Sequence, residues 1–337
     1  MRDSLNNRIP KTAMVIRATE VGGISGFRNC RRKWYFASHN GMNLEPALRA
    51  KKLSDGICWH AGLESYYRDG DFYKGFDEAF QNEVELMRLA ISDGIYDEEI
   101  QEDLDSRKKL AYTIFEEEYK EWANTKAYPQ DKDLEVVGTE VRLLIPLRNP
   151  AGNRTKGWIA VKLDGIVRTK EGVYYALEHK YQSKSTNVDN PTHLPLDIQM
   201  GVQVWALRQY LRYHDRTNPV VGGALYNLTR KQMPGSRVKN PICGRHIVRR
   251  SDRELDILMS TIYKDMVDMR RTQKHPAERT YNPQMLGICT WGCEFREVCE
   301  AMNRGEDVQF LLEAGFSPRQ QDIWTMLKNE MNEMKGE

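Results

Sequence analysis

The 337-residue chain has no apolar run approaching the roughly 20 residues that a membrane-spanning helix requires. Its opening, MRDSLNNRIP, lacks the apolar segment of a secretory signal, so a cytoplasmic protein is expected. Neither sign of charge dominates: 50 Lys and Arg against 48 Asp and Glu leave +2, too little to imply a polyanionic partner without local clustering. Internal repeats and low-complexity tracts are missing. Absent too is a G-x-x-x-x-G-K-[ST] loop; the nearest stretch, GNRTKGW, lacks the Lys after the second Gly, which argues against a helicase or other NTPase. Cysteine is scarce. Six in a chain with no export signal are expected to be thiols, and a clustered subset points to metal or redox chemistry before disulfides. What is present, 40% hydrophobic and 29% charged residues, suffices to bury one large core or two modest ones.

Periodicity and capping signals place helices in the first third. SGFRNCRRKWYFASH (25–39) opens on a plausible N-cap Ser, and SDGICWHAGLESYYRDG (54–70) starts at Ser and Asp and stops at Gly70. Longer polar helices are expected over 73–92 and 97–125. The pattern then switches to Val, Ile, Leu and Tyr in LEVVGTEVRLLIPL (134–147), GWIAVKLDGIV (157–167) and GVYYALEHK (172–180), with NPAGNRTKG and RTKEG as hairpin loops. LPLDIQMGVQVWALRQYLRYH (194–214) is periodic as a helix, and VVGGALYNLT (220–229) reads as a further buried strand. A basic stretch follows, then a helix over 252–273, the cysteine cluster, and two closing helices across 306–334. The expected organisation is one compact unit with a helical region over 1–130, a sheet core over 131–251 and a helical, cysteine-bearing region over 252–337, because no interior linker is long enough to force a second domain.

Residues two apart on a strand share a face, so Glu178 and Lys180 of ALEHK project together while His179 points away. Asp164 lies near the end of the preceding strand, and a hairpin pairing would let its carboxylate converge with that of Glu178. Mg2+ and similar hard ions choose such oxygen ligands and can deliver a water to a phosphodiester, with Lys180 orienting that water and offsetting charge. The plainer alternative is a cross-strand surface pair with Asp164 in a turn. Against it, ALEHK is apolar up to the Glu, and burying those charges costs free energy unless they are used or paired.

GWIAVKLDGIV followed by GVYYALEHK resembles the second and third motifs of the RecB-like nucleases of the PD-(D/E)xK superfamily, a G-x-x-D strand followed by a (D/E)-x-K strand. DIQMGVQVWAL resembles the family's Q-x-x-x-Y helix, with Gln199 at the Gln position and Gln203 where the family has Tyr. GICWHAGLESYY resembles the helical G-x-x-x-H-x-x-L-E motif. The resemblance implies that His60, Asp164 and Glu178 hold Mg2+ or Mn2+ with a backbone carbonyl next to Glu178, that Lys180 assists the water, and that Gln199 supports the site.

GICTWGCEFREVC supplies Cys289, Cys293 and Cys299, three soft ligands from one short segment, so a fourth is needed. GFRNCRRKWYF resembles the early motif of iron-sulfur nucleases, including the CRISPR-associated RecB-like exonucleases and the AddB nuclease domain. That resemblance implies that Cys30 joins the late three around a 4Fe-4S cluster; four thiolates would equally serve a structural Zn2+. Cys58 and Cys243 are expected to be buried small side chains.

The resemblance therefore implies an α/β protein with a restriction-endonuclease-like core (αβββαβ, mixed sheet), a helical N-terminal region and an iron-sulfur C-terminal region. It implies an exonuclease acting on single-stranded DNA ends in recombination, repair or phage DNA processing, in a bacterial, archaeal or phage-infected cell, as a homo-oligomer or with recombination partners. The alternative is a non-catalytic iron-sulfur or zinc-stabilised DNA-binding module. Two basic patches are candidate DNA contacts: Arg230, Lys231, Arg237, Lys239, Arg245, Arg249 and Arg250, and Arg28, Arg31, Arg32 and Lys33 with Trp34 and Tyr35. A solvated loop and a core position are the plainer readings of these stretches.

Overall fold

The computed structural model describes residues 14–17, 23–46, 51–90, 98–152, 155–183, 187–214, 218–235, 241–281, 287, 289 and 292–319. In chain order its elements are β1 (Met14–Arg17), α1 (Ile24–Asn29), α2 (Arg31–Ala37), β2 (Leu44–Pro46), α3 (Lys51–Asp69), α4 (Phe72–Ala90), α5 (Glu98–Ile114), a π-helical turn (Phe115–Tyr119) and α6 (Lys120–Thr125). There follow β3 (Leu134–Arg148), β4 (Thr155–Thr169), β5 (Val173–Ser183), α7 (Ile198–His214), β6 (Val220–Lys231), β7 (Cys243–Val248), α8 (Asp252–Lys274), α9 (Arg296–Asn303), α10 (Gln309–Gly315) and β8 (Phe316–Pro318). The expected mixed α/β architecture is present. The chain forms two compact units, one of Met1–Ala47, Leu144–Ala160 and Asp256–Glu337, the other of Leu48–Leu143 and Val161–Leu255.

In the second unit β4 pairs antiparallel with β5 and β5 runs parallel to β6. A parallel neighbour cannot be reached by a tight turn, and α7 makes the crossover, packing on β5 and β6. β7 then returns antiparallel to β6. Alternation on β5 sends Tyr175, Leu177, His179 and Tyr181 to one face and Glu178 and Lys180 to the other. On the first face Trp59 of α3 stacks on Tyr181, ring centroids 4.5 Å apart, and a core of Leu63, Phe72, Phe76, Ile114 and Tyr119 lies behind it. One residue in β6 sets the phase of the pairing: Tyr174 faces Val221 but Tyr175 faces Gly223, so Gly222 is an extra, bulged residue. Gly223 there has φ +129, and a Cβ on it would lie 2.3 Å from the Val248 carbonyl oxygen.

In the first unit β1 runs parallel to the start of β4, with Met14 opposite Gly157, and β2 pairs antiparallel with β8. Phe36, Ala37, Phe295, Val298 and Leu312 form its buried cluster. The single helix expected over 25–39 is two helices broken at Cys30, whose backbone is extended at φ −160 and ψ 114. Cys30 closes α1 through its N–H to the Gly26 carbonyl and opens α2 by accepting the Lys33 N–H on its sulfur, 3.5 Å away. Of the two closing helices expected across 306–334, Gln309–Gly315 is helical and is followed by a short strand, while 320–337 lies outside the described residues. The basic stretch after β6 contains a strand that periodicity did not reveal, β7.

Candidate active site

Asp164 and Glu178 face each other one step beyond the last pair of the β4–β5 ladder, Gly165 with Leu177. There side chains of the helices on both faces of the sheet reach the two carboxylates. From α3, His60 Nδ1 lies 3.2 Å from Asp164 Oδ2, which also accepts the His179 backbone N–H at 2.8 Å. From α7, Gln199 Nε2 donates to Glu178 Oε1 at 2.5 Å, and Gln203 Nε2 donates to Oε2. Lys180 Nζ pairs with the same Glu178 carboxylate and donates to Gln199 Oε1 at 2.9 Å. His60, Asp164, Glu178, Lys180 and Gln199 are thus gathered as the sequence suggested.

The two carboxylates are driven apart in acidity. Burial raises the Glu178 carboxyl, with the Asp164 charge adding to it. Burial also opposes the Asp164 charge, but His60 and the His179 N–H outweigh it and hold that carboxyl well below the usual range. His60 and Lys180 lose to burial and gain more from their carboxylates, so both are raised. For His179 burial outweighs the gain from Asp164, with the neighbouring cations adding to it, and takes its imidazole down to about 3, so it is neutral.

Among the described residues no three His, Cys, Asp or Glu side chains already surround one point. Both Glu178 oxygens are engaged by Gln199, Gln203 and Lys180. The donor set nevertheless suits a hard dication, being two carboxylates and one imidazole. A dication beside them would relieve the repulsion that raises Glu178. Gln203 Oε1 adds a buried acceptor with no hydrogen-bond partner in this wall.

Sequence reasoning missed Gln203 as a contact, reading it as a departure from Tyr; its position one turn after Gln199 was the available signal. Glu140 sits nearby on a left-handed backbone (φ 49), paired with Lys162, with burial and then the Asp164 charge among the influences raising it. Among the described residues of the basic strip Arg249 is exposed, and the others are buried or engaged within the protein. Arg245 is 1% exposed and paired with Asp131 at 2.7 Å, Arg230 is buried, and Lys231 pairs with Asp55 at 2.8 Å. Arg237 and Lys239 lie outside the described residues. Around Cys30, Arg28 and Arg31 pair with Asp265 and Glu278, and Trp34 is core.

None of the six cysteines is joined in a disulfide. Burial pushes Cys58 and Cys243 up to about 12, as inert core thiols. Cys30 and Cys293 lie near enough for one charge to act on the other. Arg32 Nη1 donates to Cys299 Sγ at 3.1 Å, and Lys33 Nζ to the Gly292 carbonyl at 2.9 Å.

The profile described as the PD-(D/E)XK nuclease superfamily matches residues 21–300. No curated protein matches. Among solved structures, the crystal structure of SSO0001 aligns over 75% of this chain and 88% of its own at 12% identity, with a TM-score of 0.31, too low a likeness to argue from.

Proposed function

Because the chain belongs to the PD-(D/E)XK nuclease superfamily, a group of metal-dependent nucleases acting on DNA, we propose that it is a RecB-like iron-sulfur exonuclease that degrades single-stranded DNA from its ends. The observation that carries the reading is the convergence of Asp164, Glu178 and Lys180 just past the end of the β4–β5 ladder, with Gln199 bridging Glu178 and Lys180. Recombination, repair or phage DNA processing is the setting.

His60, Asp164 and Glu178, with the adjoining backbone carbonyl, hold Mg2+ or Mn2+, which when bound supplies a Lewis acid and a water of lowered pKa. Asp164 arrives ionised, held so by His60 and the His179 N–H. As a ligand, Glu178 would exchange its contacts with Gln199, Gln203 and Lys180 for the dication. Lys180, whose Nζ also donates to Gln199, would present its ammonium to the attacked phosphate and offset its gathering negative charge. Glu178 is buried, while the Lys180 and His60 side chains are partly open to solvent.

Cys30, Cys289, Cys293 and Cys299 hold the 4Fe-4S cluster. Each thiolate of a cubane binds a different iron, so the sulfurs need not meet at one point. Arg32 donates to Cys299 Sγ and would offset charge on a cluster thiolate there; Lys33 acts on Cys293 too, but is itself paired with Glu294.

The test is digestion of end-labelled single- and double-stranded DNA by anaerobically purified protein with Mg2+, Mn2+ or EDTA. Metal-dependent shortening from an end, lost in Glu178→Ala, supports the reading. DNA binding without cleavage under every condition would sink it in favour of a binding module. Iron and sulfide analysis of the same preparation reads the cluster, and zinc in their place overturns that part alone.

A further inference from the structure

His179, between the two motif charges, is an unusual place for an imidazole: it is 3% exposed and its main-chain N–H holds Asp164. What holds His179 is a hydrogen-bond chain on the α3 face of the sheet. Asn227 lies directly across from it in the β5–β6 pairing, with Nδ2 3.3 Å from His179 Nδ1. Arg245 Nε donates to Asn227 Oδ1 at 2.7 Å. Arg245 Nη2 donates in turn to Asp131 Oδ1 at 2.7 Å and, at 3.3 Å, to the Tyr67 hydroxyl, which itself donates to Asp131 Oδ2 at 2.8 Å. The Tyr67 ring lies against the His179 ring, centroids 5.3 Å apart.

The donor rules fix every proton in this chain. A guanidinium has no acceptor, so Arg245 must donate and Asn227 must present its oxygen to it. The Asn227 amide then faces His179 with N–H, and His179 Nδ1 can only accept. The ring is therefore a neutral Nε2–H tautomer, anchored through an amide to an ion pair whose side chains are 1% and 7% exposed.

We propose that Asn227 is a positioning residue of the metal site: backed by Arg245 and Asp131, it locks the tautomer and orientation of His179, whose backbone N–H fixes the Asp164 carboxylate. The proposal rests on the reading of Asp164 as a metal ligand. Groups that orient ligands in this way change metal affinity by about 10- to 100-fold when removed.

Two variants test it in the full-length protein, with Asp164→Ala as reference and Mn2+ as probe. Asn227→Leu removes the anchor and is expected to weaken Mn2+ binding by about 10- to 100-fold. Asn227→Asp keeps the acceptor for Arg245 but turns an oxygen toward His179, so the ring stays anchored with its proton moved to Nδ1. It is expected to bind Mn2+ within a few-fold of wild type. Nitrogen-15 spectra of labelled histidine read the tautomer: Nε2–H in wild type and Nδ1–H in Asn227→Asp. A wild-type Nδ1–H, or no change of tautomer in Asn227→Asp, overturns the proposal even where Asn227→Leu fails to fold. Unchanged Mn2+ binding in a folded Asn227→Leu, with binding lost in Asp164→Ala, overturns it and leaves the metal site standing. Unchanged binding in Asp164→Ala brings down the metal-site reading and the proposal together.

Discussion

Gln203 donates through Nε2 to Oε2 of Glu178, one helical turn beyond the Gln199 side chain that serves the other oxygen. An amide here supplies the same carboxylate contact that a Tyr hydroxyl at this position could supply, and it adds a second, unpaired acceptor. Gln203→Leu leaves Glu178 Oε2 with no donor in a buried wall. Nuclease turnover is expected to fall by roughly 10- to 100-fold, measured as metal-dependent digestion of labelled DNA, with the thermal melt showing an intact fold.

Metal binding to the folded chain stabilises it by mass action. At Mn2+ of about 100 times its Kd the gain is about 2.7 kcal/mol, seen as a rise in Tm of several degrees. Asp164→Ala is expected to melt at the same temperature with and without Mn2+, and a persistent shift in that variant would place the ion elsewhere.

The pair of Arg245 and Asp131 is buried on both sides. Removing one partner strands the other charge, so Asp131→Ala is expected to cost about 3–5 kcal/mol in urea unfolding. A loss below about 1 kcal/mol, the range of exposed pairs, would contradict the burial of this network.

Cys58 and Cys243, with thiols held near 12 by burial, carry almost no thiolate at neutral pH. Iodoacetamide is expected to leave both unmodified in the native protein and to label them once urea unfolds it, read by peptide mass spectrometry. Rapid native labelling of either would show that its pocket opens.

The two strands and the helix that carry Asp164, Glu178, Lys180 and Gln199 were legible because alternation and helical spacing act locally, within a few residues. His60 was legible only through the company of its motif. Lost were features decided by distant partners. The extended backbone at Cys30 depends on a sulfur acting as a cap, inside a stretch whose periodicity looks unbroken. β7 was hidden by charge: Arg245 reads as a surface residue until Asp131, 114 positions earlier, is found beside it. The contact of Gln203 with Glu178 needed the strand register as well as the helix.

Gly222, the bulged residue of β6, gives the site a dependence on chain length. Everything after it in the strand, including Tyr226 opposite Glu178 and Asn227 opposite His179, takes its facing from that one added residue. Descendants of this sequence can therefore exchange side chains along β6 one at a time. A single codon gained or lost between Gly223 and Asn227 instead turns the Asn227 side chain to the opposite face in one step, so this stretch should drift by substitution and never by insertion or deletion.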